Sequence, residues 1–261
     1  MGVGPERAVA CLRAIRDPRM RVCALIEALG EGEPGGWVEA LAALIGRAHG
    51  SDDPGAAIAV QSLIHAAADP ALPYATRQRL YEAAIERDLR AVARLFLAAS
   101  PSSGRPGQLP QQLAPERSLG ARGRPLTLGE RKSLARTHDR ERILLMLRDP
   151  HPAVVAILLE NPHVTEPDVL QIASARPAVP AALAKLAAHP RWSVRHAVKR
   201  ALVQNPSTPL ADAIRIATTL RPSELTELAG DAALPEPLRA HAADLEPLRR
   251  RATPSRRHRD G

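Results

Sequence analysis

Residues 151–174 align without a gap on residues 195–218, an offset of 44 positions. Identical pairs are Ala153/Ala197, Val154/Val198, Leu158/Leu202, Asn161/Asn205, Pro162/Pro206, Asp168/Asp212, Ile172/Ile216 and Ala173/Ala217. Leu170/Ile214 and Ser174/Thr218 are conservative. Self-similarity at this period constrains the fold strongly, because a unit this short cannot bury its own apolar stripe and must stack on its neighbours. A second echo joins the two ends of the chain. Asp69-Pro-Ala-Leu-Pro73 followed by Arg77 recurs as Asp231-Ala-Ala-Leu-Pro235 followed by Arg239, at the same internal spacing.

Each unit reads as a pair of helices. Pro152 opens a helix through Glu160, and Asn161-Pro162 stops it. Thr165 caps the next helix, through about Ala175, with Asp168 completing a capping-box-like pair. In the second unit the pattern predicts a helix over 191–203, a stop at Asn205-Pro206 and a restart at Thr208-Pro209. Val169, Leu170, Ile172 and Ala173 have one-sided helical spacing. The N-terminal part is helical too, with helices expected at 17–29 (ended by Gly30), 37–48, 54–68, 73–87 and 89–98. Thr127-x-x-Glu130 is a capping box that opens a further helix.

The 44-residue helix-pair period resembles HEAT repeats. Asn205-Pro-Ser-Thr-Pro209 and the Asp-x-x-Leu-Pro-x-x-x-Arg units look like the variant leucine-rich repeats of bacteria, which are also α-solenoids. The resemblance covers 126–248 well and the N-terminal part loosely. It implies an all-α fold, an α-solenoid of stacked helix-pair (HEAT-like) repeats with a helical N-terminal region, and it carries no catalytic residue. Some variant-repeat proteins hold an iron–sulfur cluster on grouped cysteines, but this chain has only Cys11 and Cys23. These match no metal spacing and no CxxC motif, and read as two buried thiols in a reducing compartment.

Composition agrees with helix-on-helix packing. Hydrophobic residues make up 45% of the chain and aromatics only 2%, and most of the 25 prolines fall at expected helix starts or loops. The use of 33 Arg against 3 Lys suggests a GC-rich, plausibly bacterial, genome. Residues 100–125, rich in Pro, Gly, Ser and Gln, carry +3 and read as a disordered linker; residues 249–261 carry +5 and read as a disordered basic tail. Together they account for the net charge of +8, so the rest is neutral overall. The expected domains are therefore 1–99, the linker 100–125, the repeat domain 126–248 and the tail 249–261. The N-terminus has no apolar signal core and no stretch is long enough to span a bilayer, which points to the cytoplasm.

Motifs with chemical content dissolve in context. Gly30-Glu-Gly-Glu-Pro-Gly35 fits GxGxxG, yet it follows a helix rather than a strand and its glutamates would repel a pyrophosphate, so it reads as a helix–helix turn. His151, His163 and His189 adjoin prolines and read as solvated turn residues. No cofactor, metal site, small-molecule substrate or catalytic residue is indicated.

One segment on a helix remains as a candidate. Trp192, Arg195, His196, Lys199 and Arg200 share one side of the expected helix and, with Arg191 at its start, make a cationic candidate site around an aromatic that suits phosphates and a base, or an acidic protein segment. The competing reading has Trp192 folding back onto the preceding helix. The leading function is a non-enzymatic scaffold that binds another protein. The alternative is a nucleic-acid module using 191–200 and the Arg-rich tail, with weak, salt-sensitive binding. A third reading resembles the HEAT-like alkylpurine DNA glycosylases, which need several aromatics around a carboxylate. This chain has five aromatics in all.

Overall fold

The computed structural model describes residues 5–50, 53–97 and 124–252. Most of the expected linker and tail lies outside them. Fifteen helices and no strand occur among the described residues. In chain order they are α1 (Pro5–Ala14), α2 (Pro18–Glu31), α3 (Pro34–Gly50), α4 (Pro54–Ala68), α5 (Tyr74–Glu86), α6 (Arg90–Leu95), α7 (Leu128–Leu134) and α8 (Arg140–Met146). They continue with α9 (Pro152–Glu160), α10 (Glu166–Ser174), α11 (Pro180–Ala187), α12 (His196–Gln204), α13 (Leu210–Ala217), α14 (Pro222–Gly230) and α15 (Glu236–Ala252).

The chain divides into two compact units, and not at the boundaries read from the sequence. One unit joins Met1–Ala98 to Ile214–Gly261; the other is Ala99–Ala213. The C-terminal third of the expected repeat domain thus belongs with the N-terminal helices. Arg249 and Arg250, assigned to the tail by composition, lie in the last turns of α15 and bond Glu246.

In the first unit α3 is central, packing against α4, α5 and α15. Its start is fixed by Glu33, whose carboxylate accepts from the N–H groups of Gly35 (2.8 Å) and Gly36. This is the turn that mimics GxGxxG. Gly32 is required there because a Cβ would stand 2.0 Å from Nε1 of the buried Trp37. Helix α2 runs past Gly30 to Glu31, because Gly32 is its C-cap. Pro247 sits inside α15, unlike the prolines that open α2, α4, α9 and α11. Cys11 and Cys23 are exposed thiols, not buried ones; they fall on the solvent sides of α1 and α2.

In the second unit alternate helices pack together. Helices α7, α9 and α11 form one row, and α10 and α12 form another. Helices α9 and α12 are each nine residues long and begin 44 positions apart. Their C-caps are Asn161 and Asn205, which behave alike. The Asn161 amide donates to the carbonyls of Ala135 and Thr137, both at 2.9 Å, just past the end of α7. That of Asn205 donates to Ala173 (2.7 Å) and Ala175 (2.9 Å) at the end of α10. Each satisfies carbonyls that a helix terminus leaves without partners.

The backbone around these asparagines recurs at five helix ends: Asp69, Asn161, His189, Asn205 and Asp231. In each the residue's N–H bonds the carbonyl three positions back, and its own carbonyl accepts from the N–H three positions on. Its side chain accepts from the N–H two positions on, at 2.8 to 3.3 Å. The third residue after it is buried: Leu72, Val164, Trp192, Thr208 and Leu234. The two sequence echoes are therefore two views of one turn, and His189-Pro-Arg-Trp-Ser is a further copy that neither contained.

Replacing Asn205 with Ala removes both donors to α10. Urea unfolding is expected to show a loss of about 2–4 kcal/mol. Asn205→Asp should lose at least as much, since a carboxylate cannot donate. A loss well under about 1 kcal/mol in both would mean that the tie contributes little.

Candidate partner-binding surface

The turn at His189 determines what becomes of the basic segment. Helix α12 starts at His196, five residues later than the periodicity predicts, because 189–195 are used for the turn and its exit. Trp192 is the buried residue of that turn, 2% exposed, and its indole N–H donates to the Leu159 carbonyl at 2.9 Å. Arg191 lies over its ring at 4.3 Å, which completes the cover. His189, expected in solvent, is buried; its Nδ1 accepts from Arg191 N–H, and burial lowers its pKa.

The six candidates therefore do not form one face. Arg191 and Trp192 precede the helix. Arg195 is its N-cap residue and pairs with Glu166 at 3.5 Å. His196 is half-buried and Arg200 exposed. Lys199 is buried with Val198, Leu202 and Val203, and that desolvation brings its pKa down to about 8. The helical wheel failed because it assumed helical dihedrals for residues that the turn holds otherwise.

The second unit is nevertheless basic. Its described residues 124–213 hold thirteen Arg and Lys against eight Asp and Glu. Ten of the cations are exposed and two of the acids, Glu141 and Glu160; four of the ten, Arg124, Arg140, Arg142 and Arg195, are paired with less exposed acids. Asp149 and Asp168 are buried beneath arginines. Arg131 Nη1 donates to both Asp149 oxygens at 2.7 and 2.8 Å. Arg140 forms a two-pronged bond to Asp168 at 2.6 and 2.7 Å. Arg140, reinforced by Thr165, holds the Asp168 carboxyl at about 2 despite burial. The first unit has nine exposed cations against eleven exposed acids. Neutrality outside the linker and tail is thus an average over a basic unit and an acidic C-terminal stretch. The two cancelled because the sequence boundaries placed them in one domain.

Leu144 and Leu145, on α8, are 43% and 45% exposed. Ile143, Met146 and Leu147 anchor the opposite side of the same helix in the core. Val194 and Leu210 are further exposed apolar residues of this unit. Trp192, already buried, is the only Trp, Tyr or Phe among its described residues; the exposed imidazoles of His138 and His163 lie 6.2 Å apart.

The first unit contains a polar seam that sequence reading passed over. His241, fully buried on α15, has Nε2 2.9 Å from the Thr218 hydroxyl, which donates to the Ile214 carbonyl. His49, on α3, has Nε2 2.7 Å from the Thr218 carbonyl. Arg94 bonds Asp244 at 2.5 Å, and Arg215 donates to the Leu95 and Leu97 carbonyls. Burial first, then Arg94 and His49, push His241 down to about 3. Burial likewise lowers His49. No sequence signal marked them: His241 lies in a helix rich in charged residues and His49 in the last turn of α3, where solvated histidines read the same. No group of three or more metal-ligating side chains occurs among the described residues, and none of their helices is long and apolar enough to cross a membrane.

The chain matches no protein-family model, no curated protein and no solved structure.

Two stability measurements follow. The folded pKa of Lys199, about 8, lies below its unfolded value of about 10.4, so the unfolded chain binds more protons between them. Stability should therefore rise from about pH 8 to 10 in urea titrations, a rise that Lys199→Met should remove. His49 and His241 have folded pKa values below the unfolded value of about 6.5. Between those values the unfolded chain binds more protons. The stability of the seam is thus complete above about pH 6.5 and falls as the pH drops below it, by up to about 1.4 kcal/mol per pH unit for each histidine. Urea titrations from pH 7.5 to 5 should show this fall, and a shallower one in His241→Gln. Equal slopes in the two proteins would contradict the assignment.

Proposed function

We propose that this chain is a non-catalytic scaffold, an α-solenoid of HEAT-like helix pairs whose surface binds another protein. The observation that carries this reading is the exchange of roles between Trp192 and the leucines of α8. The aromatic that would serve a base is buried as part of a turn, while Leu144 and Leu145, which suit a protein side chain, face solvent. Tied turns give the helix pairs a fixed surface, which lowers the ordering cost of binding.

The nucleic-acid reading draws on the ten exposed cations of the second unit. Such binding would be an electrostatic attraction to phosphates without stacking, falling steeply as salt rises. The glycosylase reading lacks its ring of aromatics. The two buried carboxylates of this unit, Asp149 and Asp168, are each engaged by an arginine.

The test uses the full chain as bait in a nuclease-treated lysate, alongside direct titration with a labelled duplex and a labelled single strand at low and high salt. The expected outcome is a protein that stays bound after nuclease treatment, with nucleic-acid binding lost at high salt. Tight duplex binding that persists in high salt, with no protein retained, would overturn the scaffold reading.

A further inference from the structure

Helix α8 is apolar on two sides. Ile143 and Met146 are fully buried, so the helix needs nothing further on that side to be stable. Leu144 and Leu145 are adjacent on the other side and together leave an apolar patch in water. Exposed leucines scattered singly need no explanation, but here two share one turn, with arginines before and after them and Glu141 one turn away. Arg140 lies one turn before Leu144, and Arg148 follows just past the last turn; both are exposed, as are Arg142 within the helix and Arg136 before it. Asp139 accepts from the N–H groups of Glu141 and Arg142 and pairs with the Arg142 guanidinium at 3.1 Å. Glu141 is the one exposed acid near the patch.

Resting on the scaffold reading, we infer that α8 is a docking site for an acidic amphipathic segment of another protein, whose apolar side chains cover Leu144 and Leu145 while its carboxylates meet Arg136 and Arg148. Charge complementarity selects the occupant. A unit that holds thirteen cations against eight acids attracts an anionic partner from a distance, and the leucines reward one that also carries apolar side chains. A nucleic acid satisfies only the first condition, since phosphates gain nothing from leucine and the unit exposes no Trp, Tyr or Phe among its described residues. An amphipathic helix with leucines on one stripe and glutamates beside it satisfies both.

The probe is a labelled amphipathic helical peptide with leucine on one face and glutamate on its flanks, titrated into the full chain by fluorescence anisotropy. Control peptides carry lysine for glutamate, or serine for leucine. The glutamate–leucine peptide is expected to bind, and each control to bind at least about tenfold more weakly. Leu144→Ser/Leu145→Ser and Arg148→Glu should each weaken binding of the first peptide by a similar factor. Their circular dichroism should match the wild type, because all three side chains are exposed. Undiminished binding to the double serine variant, no binding of the peptide, or tighter binding of a DNA duplex that the serine variant shares would each overturn the proposal. A dimer seen by sedimentation and dissolved by the serine variant would also overturn it, by assigning the face to a second copy. Lysate capture separates the two levels of the argument. Protein retained equally by the wild type and the serine variant leaves the scaffold reading intact and removes α8 from it; no retained protein removes both.

Discussion

At Asn205 a single side chain meets three needs at once. Its oxygen fixes the turn after α12, its amide closes two open carbonyls at the end of α10, and the two actions together hold neighbouring helices in register. Asn161 does the same one unit earlier. Only asparagine combines a short acceptor with two donors at this reach. Asp69 and Asp231 keep the acceptor half, which suffices for the turn. A helix end buried without such partners costs free energy comparable to several lost hydrogen bonds, so the stacking of short helices in the second unit depends on these contacts.

The same turn explains the surface. It demands one buried side chain at its fourth position, and in the His189 copy that residue is Trp192. The cations of the segment are thereby separated: Arg191 covers the indole, Arg195 turns to Glu166, and Lys199 goes inside. Elsewhere in this unit Asp149 and Asp168 are buried under arginines that they neutralise, and the excess of positive charge is that of thirteen cations over eight acids. Positive charge on this protein is therefore a property of one folded unit as well as of the linker and tail.

Much of the helix pattern was legible. Pro54 to Ala68, Pro152 to Glu160 and the Thr127 capping box were read as they stand, because proline at a first turn and an Asp or Thr cap are local instructions. The late start of α12 was not legible, since Ser193, Val194 and Arg195 carry no breaker and fit a helix by pattern alone. The exposure of Cys11 and Cys23 was missed for a related reason. A small thiol is compatible with either side of a helix, and in α2 the buried side is set by Leu25 and Leu29 rather than by Cys23.

The amino-acid sequence by itself determined that this chain is helical, where most of its helices begin and end, and that one asparagine-anchored unit occurs twice at a spacing of 44, since caps, prolines and periodicity act over a few residues. Tertiary structure alone decided that 214–252 belongs with the N-terminal helices, that His49 and His241 meet at Thr218, that Trp192 is buried and that Leu144 and Leu145 are not. Each of these depends on which apolar surface a helix finds to cover it. That choice is made between segments far apart in the chain, by the area each pairing removes from water.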